Sequence, residues 1–181
     1  NEDKIKNYLN YSLQIVNPEI YITELNPHLQ NIRNSELYNI LNQKNEYTIL
    51  PEFEVRYTNE TKNGIYWELS AKIDLLYQDN QGKWHLIDYK TNKGNSPEAI
   101  TKFHRYDIQI QFYLYLLKKR FGIKIFSARI YYSYFNKFLK IEPVEDKVLE
   151  NLIEKYIDSL ALPLTDLPKV KESFQIKKEA K

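Results

Sequence analysis

The chain lacks cysteine, has only four glycines in 181 residues, and carries a net charge of just +2. Without cysteine, disulfides, thiolate zinc sites, cysteine-ligated iron–sulfur clusters and a cysteine nucleophile are all excluded. A charge this small gives no electrostatic case for a nucleic-acid partner, so such a partner has to be argued from a site. No stretch approaches the ~18 to 20 consecutive apolar residues of a membrane helix, and the N-terminus has no signal-peptide layout. We therefore expect a soluble protein with no membrane partner, and the missing cysteines are compatible with a cytoplasmic location. There is no Gly-rich phosphate loop, no Ser/His/Asp elbow motif and no internal repeat. The start at Asn1 rather than Met leads us to expect a longer parent chain.

What is present is ordinary for a globular protein: 43% hydrophobic and 28% charged residues. The length suits one domain with an irregular tail. The 16 tyrosines accompany abundant Asn, Lys and Ile, all encoded by AT-rich codons, so we read them as genome composition before function.

Apolar spacing predicts a helix over residues 2–16, then a linker-like stretch holding Pro18 and Pro27. Ser35 is an N-cap candidate for a short helix through Leu37, Ile40 and Leu41. Period-two patterning then predicts strands over 47–57, 65–77 and 84–90. In the second of these Ile65, Trp67, Leu69, Ala71, Ile73 and Leu75 fall on one face, and Lys72 and Asp74 on the other. Ser96-Pro97-Glu98 can cap and start a helix, and the strongest helical pattern runs from about Arg105 to Phe121, ending at Gly122. Strands over 123–134 and 138–141 and a helix over 145–160 follow, then a Pro-containing basic tail. The order predicts an α/β fold with a central mixed β-sheet flanked by helices. We expect residues 1–34 to be an N-terminal helix and linker, 35–160 the core, and 161–181 the tail.

Between the second and third strands, Asp79-Asn80-Gln81-Gly82-Lys83 reads as a hairpin loop with Gly82 left-handed and Asp79 paired with Lys83. That register sets Asp74 directly opposite Asp88, with Cβ atoms roughly 4.5 to 5.5 Å apart. Two like charges there need compensation, and hard oxygens at that separation suit a divalent cation. Lys90, two residues beyond Asp88, shares its face and can also neutralise the pair. The plain alternative is a solvated strand-end aspartate with a surface lysine partner. Against it, both carboxylates sit in strongly β-forming runs from which Asp is depleted. On the long helix Tyr106, Gln109 and Tyr113 form one stripe of mixed polarity, and Ile108, Phe112, Tyr115 and Leu116 a separate apolar one. The histidines His28, His85 and His104 read as surface residues, with His85 facing away from Asp88 by parity.

Taken in order, Ala71-Lys72-Ile73-Asp74, then Leu86-Ile87-Asp88-Tyr89-Lys90-Thr91, then His104-Arg105-Tyr106 through Gln109 to Tyr113 resemble the PD-(D/E)XK nuclease superfamily. Within it they are most similar to the RecB/AddA-type nuclease domain at the C-terminus of bacterial helicase-nucleases. The resemblance spans about Ser35 to Phe121 and implies a restriction-endonuclease-like fold. It also implies a magnesium-dependent deoxyribonuclease of DNA repair and recombination, exonucleolytic rather than endonucleolytic, with manganese as an alternative ion. Asp74 and Asp88 match its metal-binding carboxylates, with the backbone carbonyl of Tyr89 as a further ligand and Lys90 as the catalytic lysine. Tyr106, Gln109 and Tyr113 match its supporting helix motif. Glu52, with Glu54 as the alternative, is the candidate for an upstream acidic ligand.

Three departures stand out. Ala71 replaces a glycine, no histidine-bearing upstream helix is evident around His28, and the missing cysteines disfavour branches with an iron–sulfur cluster. The implied partners are DNA, a helicase domain in the parent chain and a second helicase-nuclease subunit. Lys93, Lys102, Arg105 and the tail are candidate phosphate contacts. A catalytically inactive nuclease-fold binding module and a stand-alone restriction- or phage-type endonuclease are the alternatives.

Overall fold

The computed structural model describes residues 18–60 and 66–160, together with Lys4. The helix expected over 2–16, Lys4 apart, residues 61–65 and the tail expected at 161–181 lie outside the described residues.

Two helices come first, α1 (Pro18–Arg33) and α2 (Glu36–Asn42), followed by strands β1 (Thr48–Glu60), β2 (Tyr66–Gln78) and β3 (Trp84–Lys90). Next come α3 (Pro97–His104) and α4 (Tyr106–Phe121), then β4 (Ile125–Tyr132), β5 (Lys137–Ile141) and α5 (Asp146–Leu160). The stretch expected to be linker-like is thus a 16-residue helix with Pro18 in its first turn and Pro27 inside it. Pro18 is tolerated there because first-turn amides have no intrahelical partner, whereas an interior proline costs roughly 3 kcal/mol. Packing has to offset that cost, and Ile22 is buried. The other boundaries follow local chemistry: Ser35 and Ser96 cap α2 and α3, and left-handed Gly122 closes α4.

The five strands lie in chain order, antiparallel throughout except for the parallel pair β3 and β4. A parallel pair needs a crossover, and α3 and α4 supply it. The result is a mixed sheet with helices on both faces. The larger core includes Ile73, Leu86, Ile110, Leu117, Ile130 and Ile153, which brings α3, α4 and α5 to one face. A smaller cluster of Leu37, Ile40, Leu75, Tyr77, Ile87 and Tyr131 seats α2 on the other. Of the apolar stripe expected on α4, Tyr115 and Leu116 are buried and Ile108 and Phe112 half-buried, while Ile110, Tyr113 and Leu117 are buried beside them.

The alternation of β2 breaks once. Trp67, Leu69 and Ile73 face the larger core, but Leu75 and Tyr77 face the smaller one and Leu76 the larger. The expected single face therefore holds from Trp67 to Ile73 and fails at Leu75. Strand β1 changes faces at the same row: Phe53 and Val55 pack with Leu50 on the larger core, and Ile49 on the smaller. The register survives, with Pro51 opposite Leu75 and Phe53 opposite Ile73. Between them Glu52 adopts φ 53°, a left-handed kink that lets two paired strands swap faces together.

None of the described helices is long and apolar enough to cross a membrane.

Candidate active site

The hairpin between β2 and β3 is built as its turn residues dictate. Gly82 sits at φ 74°, the Asp79 amide donates to the Lys83 carbonyl, and Asp79 Oδ1 accepts from the amides of Gln81 and Lys83. The ladder then runs Gln78 opposite Trp84 to Leu75 opposite Ile87. It stops one pair short of Asp74 and Asp88. In place of a backbone bond, Asp74 Oδ2 accepts the Tyr89 amide at 2.7 Å. Asp74 lies at the face swap, between Ile73 and Leu75, and its carboxylate bridges to β3 where the ladder ends.

On β3, Asp88 and Lys90 share the α4 face with Leu86. Asp88 is 1% exposed, and Lys90 Nζ lies 2.5 Å from its Oδ2. The two form an ion pair at the foot of α4, with the carboxylate buried and the ammonium mostly so. Burial pushes the Asp88 carboxyl up to about 6 against the pull of Lys90, and the charge of Asp74 adds to the rise.

Helix α4 roofs this pair. The Tyr106 ring covers Lys90 Nζ at 4.3 Å from its centroid, and the Tyr106 hydroxyl donates to Asn92 Oδ1 at 3.2 Å. One and two turns on, the Gln109 amide donates to the Tyr113 hydroxyl. Burial pushes that hydroxyl up to about 12, with the charge of Asp88 the next cause. The Tyr89 hydroxyl is likewise raised, by burial first and then by Asp74, Glu52 and Asp88.

The backbone of Lys90 is fixed from β4. Its carbonyl accepts from the Ser133 amide at 2.9 Å and the Ser133 hydroxyl at 3.2 Å. His28 Nδ1 lies 2.7 Å from that hydroxyl, and Asn31 donates to the Ser133 carbonyl at 2.8 Å.

A family profile described as the PD-(D/E)XK nuclease superfamily matches residues 16–178. The chain belongs to the PD-(D/E)XK nuclease superfamily. A solved structure titled "Crystal structure of SSO0001" is similar to it at 17% identity and a TM-score of 0.50. The match covers 87% of this chain and 70% of that one, and it speaks to the fold alone. No curated protein matches the sequence.

Members of the PD-(D/E)XK superfamily generally use divalent metal ions. The donor set here fits one: two carboxylates, one of them buried, and the peptide carbonyl of Tyr89 between Asp88 and Lys90, all hard oxygens. Among the described residues no three His, Asp or Glu side chains converge. Glu52 is therefore not gathered with Asp74 and Asp88. It lies on the same cross-strand row, mostly exposed and ion-paired with Lys72, and Glu54 is opposite Lys72 on the ladder.

The remaining positions divide clearly. Asp74, Asp88, Tyr89, Lys90, Tyr106, Gln109 and Tyr113 come together at one end of β3. His85 faces the other way, stacked on Tyr77 at 4.7 Å and bonded to Asp79 at 2.9 Å. His28, expected on the surface in a linker, is instead a half-buried helix residue tied to Ser133. Lys93 lies over the Tyr134 ring at 5.7 Å, while Lys102 and Arg105 are exposed. Ser133 and Asn92 were missed by sequence reasoning. Neither belongs to a motif, and only the parallel pairing of β3 with β4 brings Ser133 to Lys90.

Proposed function

We propose that this chain is a magnesium-dependent deoxyribonuclease that hydrolyses phosphodiester bonds, with manganese as an alternative ion. The observation that carries the reading is the buried Asp88 carboxylate, its Oδ2 ion-paired with Lys90 Nζ at 2.5 Å and the charge of Asp74 close enough to act on it. A fold keeps such a pair only where something offsets the desolvation of a carboxylate. Asp74, Asp88 and the Tyr89 carbonyl would hold the ion, with Glu52 as an outer candidate. When bound, the ion supplies positive charge that polarises the scissile phosphate and acidifies water beside it.

The chain's own residues do the rest. Lys90 donates hydrogen bonds to the attacking water and offsets charge on the phosphate. The Tyr106 ring limits where its ammonium can go. Gln109 and Tyr113 hold the wall behind Asp88, and Ser133 with His28 fixes the Lys90 peptide.

The likeness of the ordered motifs to RecB/AddA-type nucleases supports a narrower reading: an exonuclease domain of a cytoplasmic helicase-nuclease in DNA repair and recombination. Its partners would be a helicase domain in the parent chain and a second helicase-nuclease subunit. The organisation that goes with it is a nuclease core over residues 35–160, with a leading segment that docks through α1 and a basic tail. The test compares wild type with Asp88→Ala and Lys90→Ala on linear DNA with magnesium. Each variant should lose at least about a hundredfold in rate, on the scale of losing a general acid–base group. Digestion that survives both changes would sink the assignment.

A further inference from the structure

An aromatic ladder leads outward from Lys90. The Tyr106 ring lies over the ammonium, and His104 stacks on Tyr106 with centroids 5.1 Å apart and planes 17° from parallel. Phe103 meets His104 edge-on at 4.9 Å. Residues two apart on a regular helix do not face each other, so the stacking of His104 on Tyr106 needs a cause. Arg105 provides it. It sits between α3 and α4 at φ 57°, a left-handed conformation for a residue with a full side chain. Strained backbone of this kind gathers at functional sites.

Phe103 is 78% exposed, the most exposed of the large hydrophobic residues that the structure leaves open. It adds little to the core. Exposed π-faces in line with a phosphate-cleaving centre are what an unpaired nucleobase binds, because every base has a face to stack and sequence does not matter. A paired base in a duplex has both faces covered by its neighbours. Lys102 and Arg105 flank the ladder as exposed cations for the strand's phosphates.

From this continuity we propose that Phe103 and His104 form a stacking subsite for an unpaired nucleobase of the substrate strand, one step out from the Lys90 centre. The proposal rests on the nuclease reading for its substrate, and it selects single-stranded ends over intact duplex.

The test uses a single-stranded oligonucleotide carrying 2-aminopurine, whose fluorescence falls when the base stacks on an aromatic ring. Titrations run in EDTA so that nothing is cleaved. Wild type should quench the probe and bind it more tightly than the matching duplex. Phe103→Leu and the double variant F103L/H104A should lose the quenching and about tenfold in single-strand affinity, and Phe103→Trp should restore both. Because Phe103 is exposed, these changes leave the core untouched. Unquenched binding by wild type, or equal quenching by the leucine variant, overturns the subsite. Magnesium-dependent cleavage of linear DNA by wild type is measured alongside. Its absence overturns the nuclease reading, whereas cleavage without quenching overturns the subsite alone.

Discussion

A glutamate at φ 53° inside a β-strand is out of place by two rules, since bulky residues avoid that region and strands avoid kinks. At Glu52 the kink sits on the row where β1 and β2 exchange faces, next to Asp74. The side chain adds little to stability, because its ion pair with Lys72 is exposed and water screens it. The backbone conformation is therefore what the fold requires of this position. In an ordinary strand, glycine is less stable than alanine by roughly 0.5 to 1 kcal/mol. At Glu52 the order should invert. We expect Glu52→Gly to be more stable than Glu52→Ala by about 1 kcal/mol in urea denaturation, since glycine alone adopts this φ without strain. Both variants lose the carboxylate, so their shared effect on magnesium-dependent cleavage reports its role separately. Alanine equal to glycine would mean that no left-handed kink is needed there.

Helix α1 shows the same economy at the scale of an element. It holds an interior proline, yet it meets the end of β4 through His28 and Asn31, both bonded to Ser133, which in turn holds the Lys90 carbonyl. Each such bond contributes about 1 kcal/mol net. We expect His28→Ala with Asn31→Ala to raise amide exchange across residues 22–33 at least fivefold and leave the central amides of β3 and β4 unchanged. Exchange that quickens equally in the sheet would show that α1 is part of the global unit and not a separately docked element.

This helix was illegible in the sequence because Pro18 and Pro27 are breaker signals, and only contacts formed about a hundred residues away offset them. The β2–β3 hairpin was legible because Gly82 and the Asp79 turn set its register locally. The motif residues on β2, β3 and α4 were picked out by their ordered resemblance to a family, and their roles stand as proposals. Period-two counting could not find the face swap at Leu75, because it assumes that no residue in the strand leaves the extended region. The buried side of α4 was read only in part, with Tyr115 and Leu116 found and Tyr113 and Gln111 missed, for a related reason. Tyr113 lies inward against the carboxylates and Gln111 bonds the Glu142 carbonyl and the Val144 amide, so polar residues occupy positions that polarity alone assigns to the surface.

At the scale of the molecule, the fold class followed from element order, while the charge balance gave no sign of a polyanionic partner. The +2 excess is unevenly placed. Residues 161–181 contain five lysines and three acidic residues, which accounts for all of it and leaves residues 1–160 neutral on balance. A neutral body around an acidic centre attracts a nucleic-acid strand weakly, so any long-range attraction has to come from the terminal lysines. Each lysine that contacts a phosphate of a single strand contributes about 0.7 to the slope of log affinity against log salt. Replacing Lys169, Lys171, Lys177, Lys178 and Lys181 with glutamine in the full chain should therefore flatten that slope by at least about 1.4, two contacts' worth. The same change should slow association at low salt and matter little near 1 M salt, where the screening length is about 3 Å. An unchanged slope would place the electrostatic footprint on the body, with Lys93, Lys102 and Arg105 around the aromatic ladder as the side chains to replace next.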